Sequence, residues 1–192
     1  MKKFLVVGNP IEHSLSPELH NFWFKNNSIN AIYEKKNIKE DEFTGLMLEI
    51  KRKNIHGINI TVPFKKKIIS HLDNLSIESE STQSVNTIYL DNNKIIGHNT
   101  DIEGFERSIK NLKLNLIDKK VLVLGAGGVV PSIIYVLNKM NVSQIMISNR
   151  TKCKAESLKD FFKDITVIDW GEVPEFDIII NATSVGLKKD DE

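Results

Sequence analysis

The chain has 192 residues, 41% hydrophobic and 27% charged, a mixture that can bury a core and excludes general disorder. Its 26 Lys and Arg nearly balance 25 Asp and Glu, so no net field draws it to nucleic acid or to an anionic membrane, and an anionic ligand must be held by local groups. The apolar run 4–7 stops at Gly8 and Asn9, too short for a signal sequence, and no stretch approaches the roughly 20 apolar residues of a membrane span; with Cys153 as the only cysteine and no disulfide possible within the chain, a cytoplasmic protein is expected.

Strand-like apolar runs alternate with segments of helical spacing. Residues 3–8, 17–25, 32–37, 42–51 and 55–61 give the order βαβαβ. Residues 85–90 and 95–97, joined by Asp91-Asn92-Asn93-Lys94, predict a hairpin, because Asn and Asp tolerate the left-handed backbone of tight turns. Thr100 is placed to cap a helix over 101–112 whose first turn carries Asp101 and Glu103, complementing the positive end of the helix dipole. A second alternation follows, with strands at 121–124, 144–148, 165–168 and 176–181 and helices at 129–140 and 152–162. Continuous apolar strands with short connections predict a parallel sheet covered on both faces. The expected fold is therefore α/β, with two open αβα domains at 1–101 and 102–192 and the boundary in the 101–112 helix. The charged tail 188–192 comes directly after a strand and its loop, where a doubly wound domain continues with further strands, so the second domain is expected to be incomplete.

Gly125, Ala126, Gly127, Gly128 and Val129 follow a strand and open a helix. In that context glycines allow a tight turn and a close backbone approach to a pyrophosphate, whose charge meets the helix N-terminal amides. Val130 stands where Gly or Ala usually allows close helix packing, and Pro131 is tolerable in a first turn. About 20 residues on, where a carboxylate would select NAD, the chain reads Asn149-Arg150-Thr151, with Lys154 one turn further. An arginine fork and a hydroxyl suit the additional phosphate of NADP. The competing reading makes Arg150 and Lys154 solvated charges at a helix start.

Three stretches of the first domain sit where strands give way to helices. In the first, Ser14 and Ser16 precede Pro17 at a helix start, a setting that suits a carboxylate and equally suits simple capping. The second runs from Asn59 through Thr61 and Pro63 to Lys65, followed by Lys66 and Lys67, which alone reads as a solvated basic face. The third is Gly97-His98-Asn99-Thr100-Asp101, where the carboxylate also serves as a dipole partner.

Together and in order, these segments resemble shikimate dehydrogenase. The shared pattern comprises Ser-x-Ser-Pro, Asn-x-Thr-x-Pro-Phe-Lys, Val-Asn-Thr, Gly-x-Asn-Thr-Asp, Gly-Ala-Gly-Gly, Asn-Arg-Thr and Asn-Ala-Thr-Ser-x-Gly, and runs from Ser14 to Gly186. The resemblance implies an N-terminal substrate-binding domain and a Rossmann-like NADP domain. It implies reversible reduction of 3-dehydroshikimate to shikimate with NADPH, in the chorismate route to aromatic amino acids, by a monomer or homodimer. Lys65 is then the general acid and base, and Asp101 hydrogen-bonds both the lysine and a substrate hydroxyl. Ser14 and Ser16 bind the substrate carboxylate, Thr61, Asn86 and Asp101 contact its other polar groups, and Thr183 and Ser184 lie near the nicotinamide. No metal is implied, and His13, His20 and His98 are expected to be structural or exposed. The sequence departs from the pattern at Thr82-Gln83-Ser84-Val85, where the family more often has Ile-Gly-Ala-Val. Rival readings are a quinate/shikimate dehydrogenase of broader substrate and cofactor use, an inactive ligand-binding fragment, and a methylenetetrahydrofolate dehydrogenase.

Overall fold

The computed structural model describes residues 1–186, and the chain divides into two units, Met1–Thr100 and Asp101–Glu192, each built on its own sheet. The first unit opens with β1 (Lys2–Gly8), α1 (Ser16–Asn26), β2 (Ala31–Asn37), α2 (Phe43–Lys51) and β3 (Gly57–Ile60), the βαβαβ order that the apolar spacing predicts. β1 lies between β2 and β3 and is parallel to both. Two further elements, β4 (Asn74–Leu75) and α3 (Ile77–Thr82), lead into the hairpin of β5 (Thr87–Asp91) and β6 (Lys94–His98). Its tip residues Asn92 and Asn93 both take positive φ, as the Asn-Asn pair predicts. The strand order is β2-β1-β3-β5-β6-β4, with β5 antiparallel to β3. The end of β1, the end of β3, the start of β5 and the end of β6 therefore fall along one edge of this sheet. The motifs of the first unit lie at that edge, in the strand ends and the loops and helix start beside them.

Alternation along β1 separates two apolar layers. Leu5 and Val7 join a large core with Phe43, Ile50, Ile60 and Ile88, whereas Val6 faces a small cluster with Ile11 and Tyr33. Each fully buried Leu, Val or Ile contributes about 1.5–3 kcal/mol by leaving water, so the α2 face dominates the stability of this unit.

The second unit consists of α4 (Asp101–Asn111), β7 (Lys120–Leu124), α5 (Val130–Lys139), β8 (Gln144–Ser148), α6 (Lys152–Glu156), β9 (Ile165–Ile168) and β10 (Ile178–Asn181). Its strands are all parallel, in the order β10-β7-β8-β9. Val121, Val123, Ile145 and Ile147 pack on one face, and Leu122, Met146 and Ile168 on the other. Pro131 sits in the first turn of α5, and Val130 is fully buried beside Ile134.

Two sequence expectations change. The helix expected over 152–162 ends at Glu156 and tightens into a 3₁₀ turn, Ser157–Asp160. The backbone N–H groups of Phe161 and Phe162 both donate to the Leu158 carbonyl, a tightening that buries Leu158 and Phe162 while Phe161 stays exposed. The elements expected from the sequence leave residues 66–84 unassigned. The structure has the 3₁₀ turn Lys67–His71, then β4 and α3 there. α3 is held by side-chain hydrogen bonds: Ser76 Oγ accepts from Ser79 N at 3.2 Å, and the buried Asn99 donates to Thr82 Oγ1 at 3.0 Å. Gln83, the departure from the family pattern, takes the left-handed backbone (φ 47°) that glycine adopts freely. The charged tail 188–192 lies outside the described residues.

Glu106 on α4 accepts from Lys110 at 2.5 Å and from Lys139 on α5 at 2.7 Å. The two ammonium groups, Lys110 foremost, hold its carboxyl below the usual carboxylate range. A depressed folded-state pKa contributes stability above the unfolded value and loses it as the pH falls through the folded one. Glu106→Gln is therefore expected to melt below wild type at pH 7, the gap shrinking below roughly pH 4, where carboxylates protonate. Thermal denaturation at pH 7 and at pH 3 measures both.

Candidate active site

Ser14 and Ser16 enter α1 through a short turn in which Ser14 Oγ accepts from Ser16 N at 3.3 Å. α1 begins at Ser16 itself and has Pro17 in its first turn. Ser14, Ser16 and Thr61 line one cavity of about 290 Å³ together with Pro10, Ile11 and His13. Beneath it lies the buried Tyr33, whose hydroxyl donates to Asn59 Oδ1 at 2.6 Å and is also hydrogen-bonded by Ser16. Burial pushes the Tyr33 phenol well above its ordinary pKa. Burial also lowers the pKa of His20, whose ring stacks on Tyr33 with centroids 4.2 Å apart.

The hydrogen bonds continue across the sheet. Asn59 Nδ2 donates to the Asn86 carbonyl (3.1 Å) and to Thr87 Oγ1 (3.0 Å), and Asn86 Oδ1 accepts from Thr100 N (3.0 Å). Lys65 follows the turn after β3, and its backbone carbonyl accepts from Val85 N at 2.9 Å. That bond fixes the lysine turn to the segment leading into Asn86. Lys67 is committed to Glu40 at 2.5 Å. Lys65 and Asn86 are not part of the cavity lining, and Asp101 opens α4 in the second unit.

In the second unit a cavity of about 310 Å³ is lined by nine of the eleven residues that the sequence assigns to a cofactor: Gly125, Ala126, Gly127, Asn149, Arg150, Thr151, Lys154, Thr183 and Ser184. Gly128 and Val129 are not in the lining; they carry the loop into α5. Gly125 has φ 112°, and a Cβ there would lie 2.8 Å from the Ala182 carbonyl oxygen. Asn181 organises the facing loop: its Oδ1 accepts from Thr183 N and Oγ1 (3.0 and 2.7 Å), and its Nδ2 donates to the Val185 carbonyl.

Sequence reasoning missed Tyr33, Asn59 as a structural link, and Trp170, which also lines the nucleotide-side cavity. A tyrosine in a strand and a tryptophan in a loop carry no local signal. Asn59 stood within a quoted motif but without a role.

A parallel sheet with a glycine turn opening a helix, and Arg150 after the next strand, has the architecture of a dinucleotide-binding unit. With a second open α/β unit bearing polar loops at one sheet edge, it defines the class of two-domain nucleotide-dependent oxidoreductases. Two family models match: the shikimate dehydrogenase substrate binding domain over residues 6–88 and shikimate / quinate 5-dehydrogenase over residues 107–187. A shikimate dehydrogenase (NADP(+)) of Pelagibacter ubique is 58% identical over 191 residues, covering 100% of this chain and 72% of the relative. The crystal structure of shikimate dehydrogenase from Aquifex aeolicus superposes with a TM-score of 0.89 at 37% identity, over 100% of this chain and 72% of that one. The Thermus thermophilus enzyme in complex with NADP(H) and shikimate does so with a TM-score of 0.86 at 32% identity, over 97% and 70%. The chain belongs to the shikimate dehydrogenase family.

Because a side chain at Gly125 meets backbone on one side and positive φ on the other, Gly125→Ala is expected to destabilise the second unit by about 1–3 kcal/mol. Urea denaturation followed by far-UV circular dichroism measures it, and an unchanged midpoint would contradict the close approach to Ala182.

Proposed function

We propose that this chain interconverts 3-dehydroshikimate and shikimate with NADPH as reductant, in the route to chorismate and the aromatic amino acids. The observation that carries the reading is that residues from three separate loops, assigned to NADP from sequence, line a single cavity. The 58% identity to an NADP-dependent relative over the whole chain supports it.

The residues present fit NADP. The missing side chain at Gly125 leaves backbone exposed to a pyrophosphate, and a Cβ there would collide with the neighbouring loop. Arg150, Thr151 and Lys154 supply a guanidinium, a hydroxyl and an ammonium for the additional phosphate. Thr183 and Ser184 belong to the nicotinamide end. When bound, NADPH supplies the hydride. The chain's own groups do the rest.

Ser14 and Ser16 hold the substrate carboxylate with neutral hydroxyls at a helix start, and Thr61 and Asn86 hold its other polar groups. Lys65 gives a proton to the oxygen of the carbonyl being reduced, and its positive charge stabilises that oxygen as charge develops. In the reverse direction the same amine removes the proton. Asp101 accepts from a substrate hydroxyl and orients the ring. The near-neutral net charge and an exposed, unpaired Cys153 accord with a small-molecule substrate and a cytoplasmic setting. Among the described residues no helix is long and apolar enough to cross a membrane. The second family description names quinate as well, so quinate is the substrate to assay in competition.

Lys65→Ala is expected to lower kcat for shikimate oxidation by about 10²- to 10⁴-fold. Initial rates of NADP reduction at saturating shikimate measure it, and a loss under about tenfold would remove Lys65 from proton transfer. Arg150→Ala should weaken NADPH about tenfold or more, the scale of one charge-assisted hydrogen bond, while NADH changes little. Fluorescence titration of both cofactors decides this, and a wild type without preference for NADPH would refute the phosphate assignment.

A further inference from the structure

The apolar layer that holds α1 to its sheet is thin. Among the described residues, the cluster on this face has three buried members, against fifteen on the opposite face. α1 itself contributes no buried residue. Yet α1 starts with Ser16, and a shift of about 1 Å in a binding group is enough to cost much of its effect. Its apolar hold on the sheet comes from Phe24, which packs partly buried against this cluster and beside Phe4, so polar contacts must supply the rest of what fixes the helix.

Asn21 meets that need. Its Oδ1 accepts from the backbone N–H of Tyr33 at 2.9 Å, and its Nδ2 donates to the Tyr33 carbonyl at 2.8 Å. Among the described residues β2 is an edge strand paired with β1 alone, so no neighbouring strand there meets the outward peptide groups of Tyr33. The Asn21 amide satisfies both, as a strand would. One residue earlier, His20 stacks flat on the Tyr33 ring, with 3° between the planes. The ring so held carries the hydroxyl that meets Ser16 and Asn59. Asn21 lies five residues from Ser16, about 7.5 Å along the helix axis, and fastens the helix to the residue whose side chain touches the helix start.

We propose that Asn21 is a positioning residue for the substrate carboxylate, locking α1 to Tyr33 on the edge strand so that the Ser14 and Ser16 hydroxyls are set before substrate arrives. The inference rests on the reading of Ser14 and Ser16 as the carboxylate site. Asparagine suits the task because its amide matches a peptide group in size and polarity. Aspartate keeps the acceptor and loses the donor, and alanine leaves both Tyr33 peptide groups without this partner.

The test is steady-state kinetics of the full chain with shikimate and NADP. Asn21→Ala is expected to raise KM for shikimate about tenfold, with kcat within about threefold and KM for NADP unchanged. Asn21→Asp should fall between. Shikimate methyl ester supplies the second arm: if the clamp acts through the carboxylate site, the alanine substitution costs the ester much less than it costs shikimate. Hydrogen exchange at the Tyr33 amide, which Asn21 accepts, should quicken in the variant without any ligand. Should Asn21→Ala not fold, the KM split is read from Asn21→Asp. A shikimate KM within twofold of wild type overturns the proposal, as does equal weakening of shikimate, ester and NADP. A wild type that neither binds nor oxidises shikimate would instead sink the functional reading itself, and this inference with it.

Discussion

The motif-bearing edge of the first sheet depends on the hydrogen bonds gathered at Asn86, which is 9% exposed. Its carbonyl accepts from Ile60 N at 2.8 Å and from Asn59 Nδ2, its N–H donates to the His98 carbonyl at 3.1 Å, and its side chain accepts from Thr100 N. The ends of β3 and β6, the start of β5 and the approach to α4 are thereby tied at one residue. A buried polar group that loses its partner costs about 1–3 kcal/mol, so none of these segments can slide without breaking a bond in another. Thr61 and Lys65 follow one strand of this knot directly, and Asp101 follows Thr100. The backbones of Thr61 and Lys65 are held in turn by Val7 and Val85: Thr61 N donates to the Val7 carbonyl at 3.0 Å, and the Lys65 carbonyl accepts from Val85 N at 2.9 Å.

On the proposed reading, the two units hold anions by different means. At the nucleotide-side cavity Arg150 and Lys154 present full positive charges. Charge-assisted bonds of this kind are roughly twice as strong as neutral ones and favour a doubly charged phosphate over a hydroxyl. At the substrate side the cavity lining offers hydroxyls from Ser14, Ser16 and Thr61. Neutral donors recognise a carboxylate by shape and direction, with weaker attraction, which suits a substrate that must leave each turnover. A chain with a net charge of +1 has no global field to do either task. On that reading local placement carries both, and the geometry behind Ser16 matters as much as the serines.

The sequence made visible the features whose signals are local. The β1-α1-β2-α2-β3 order, the Asn-Asn hairpin tip, the glycine turn before α5 and Pro131 in its first turn all follow from spacing and residue type. The loops lining the nucleotide-side cavity were legible because each motif is contiguous. What stayed hidden is held by partners far apart in the chain. Asn21 and Tyr33 are 12 residues apart, and Tyr33 and Asn59 are 26; neither pair leaves a periodic trace. α3 was invisible for a related reason: a Ser- and Glu-rich segment earns its helix from the Ser76 cap and the Asn99 bond, contacts that no window of apolar residues records. The end of α6 likewise answers to where Leu158 and Phe162 must be buried.

Gly125 and Gln83 show how the surroundings decide what a positive φ requires. Both residues adopt it. At Gly125 the space a side chain needs is filled by the Ala182 backbone, an obstacle that cannot rotate away. At Gln83 the left-handed conformation carries only the local strain of a non-glycine residue, about 1–2 kcal/mol. Helix-end bonds offset part of it: the Gln83 N–H reaches the Glu80 and Ser79 carbonyls, and its side-chain amide donates to the Glu80 carbonyl at 2.8 Å. A residue that departs from the family pattern thus preserves the path of the chain into Asn86. The substitution is absorbed as a small loss of stability, because the turn needs a backbone angle there rather than an empty volume.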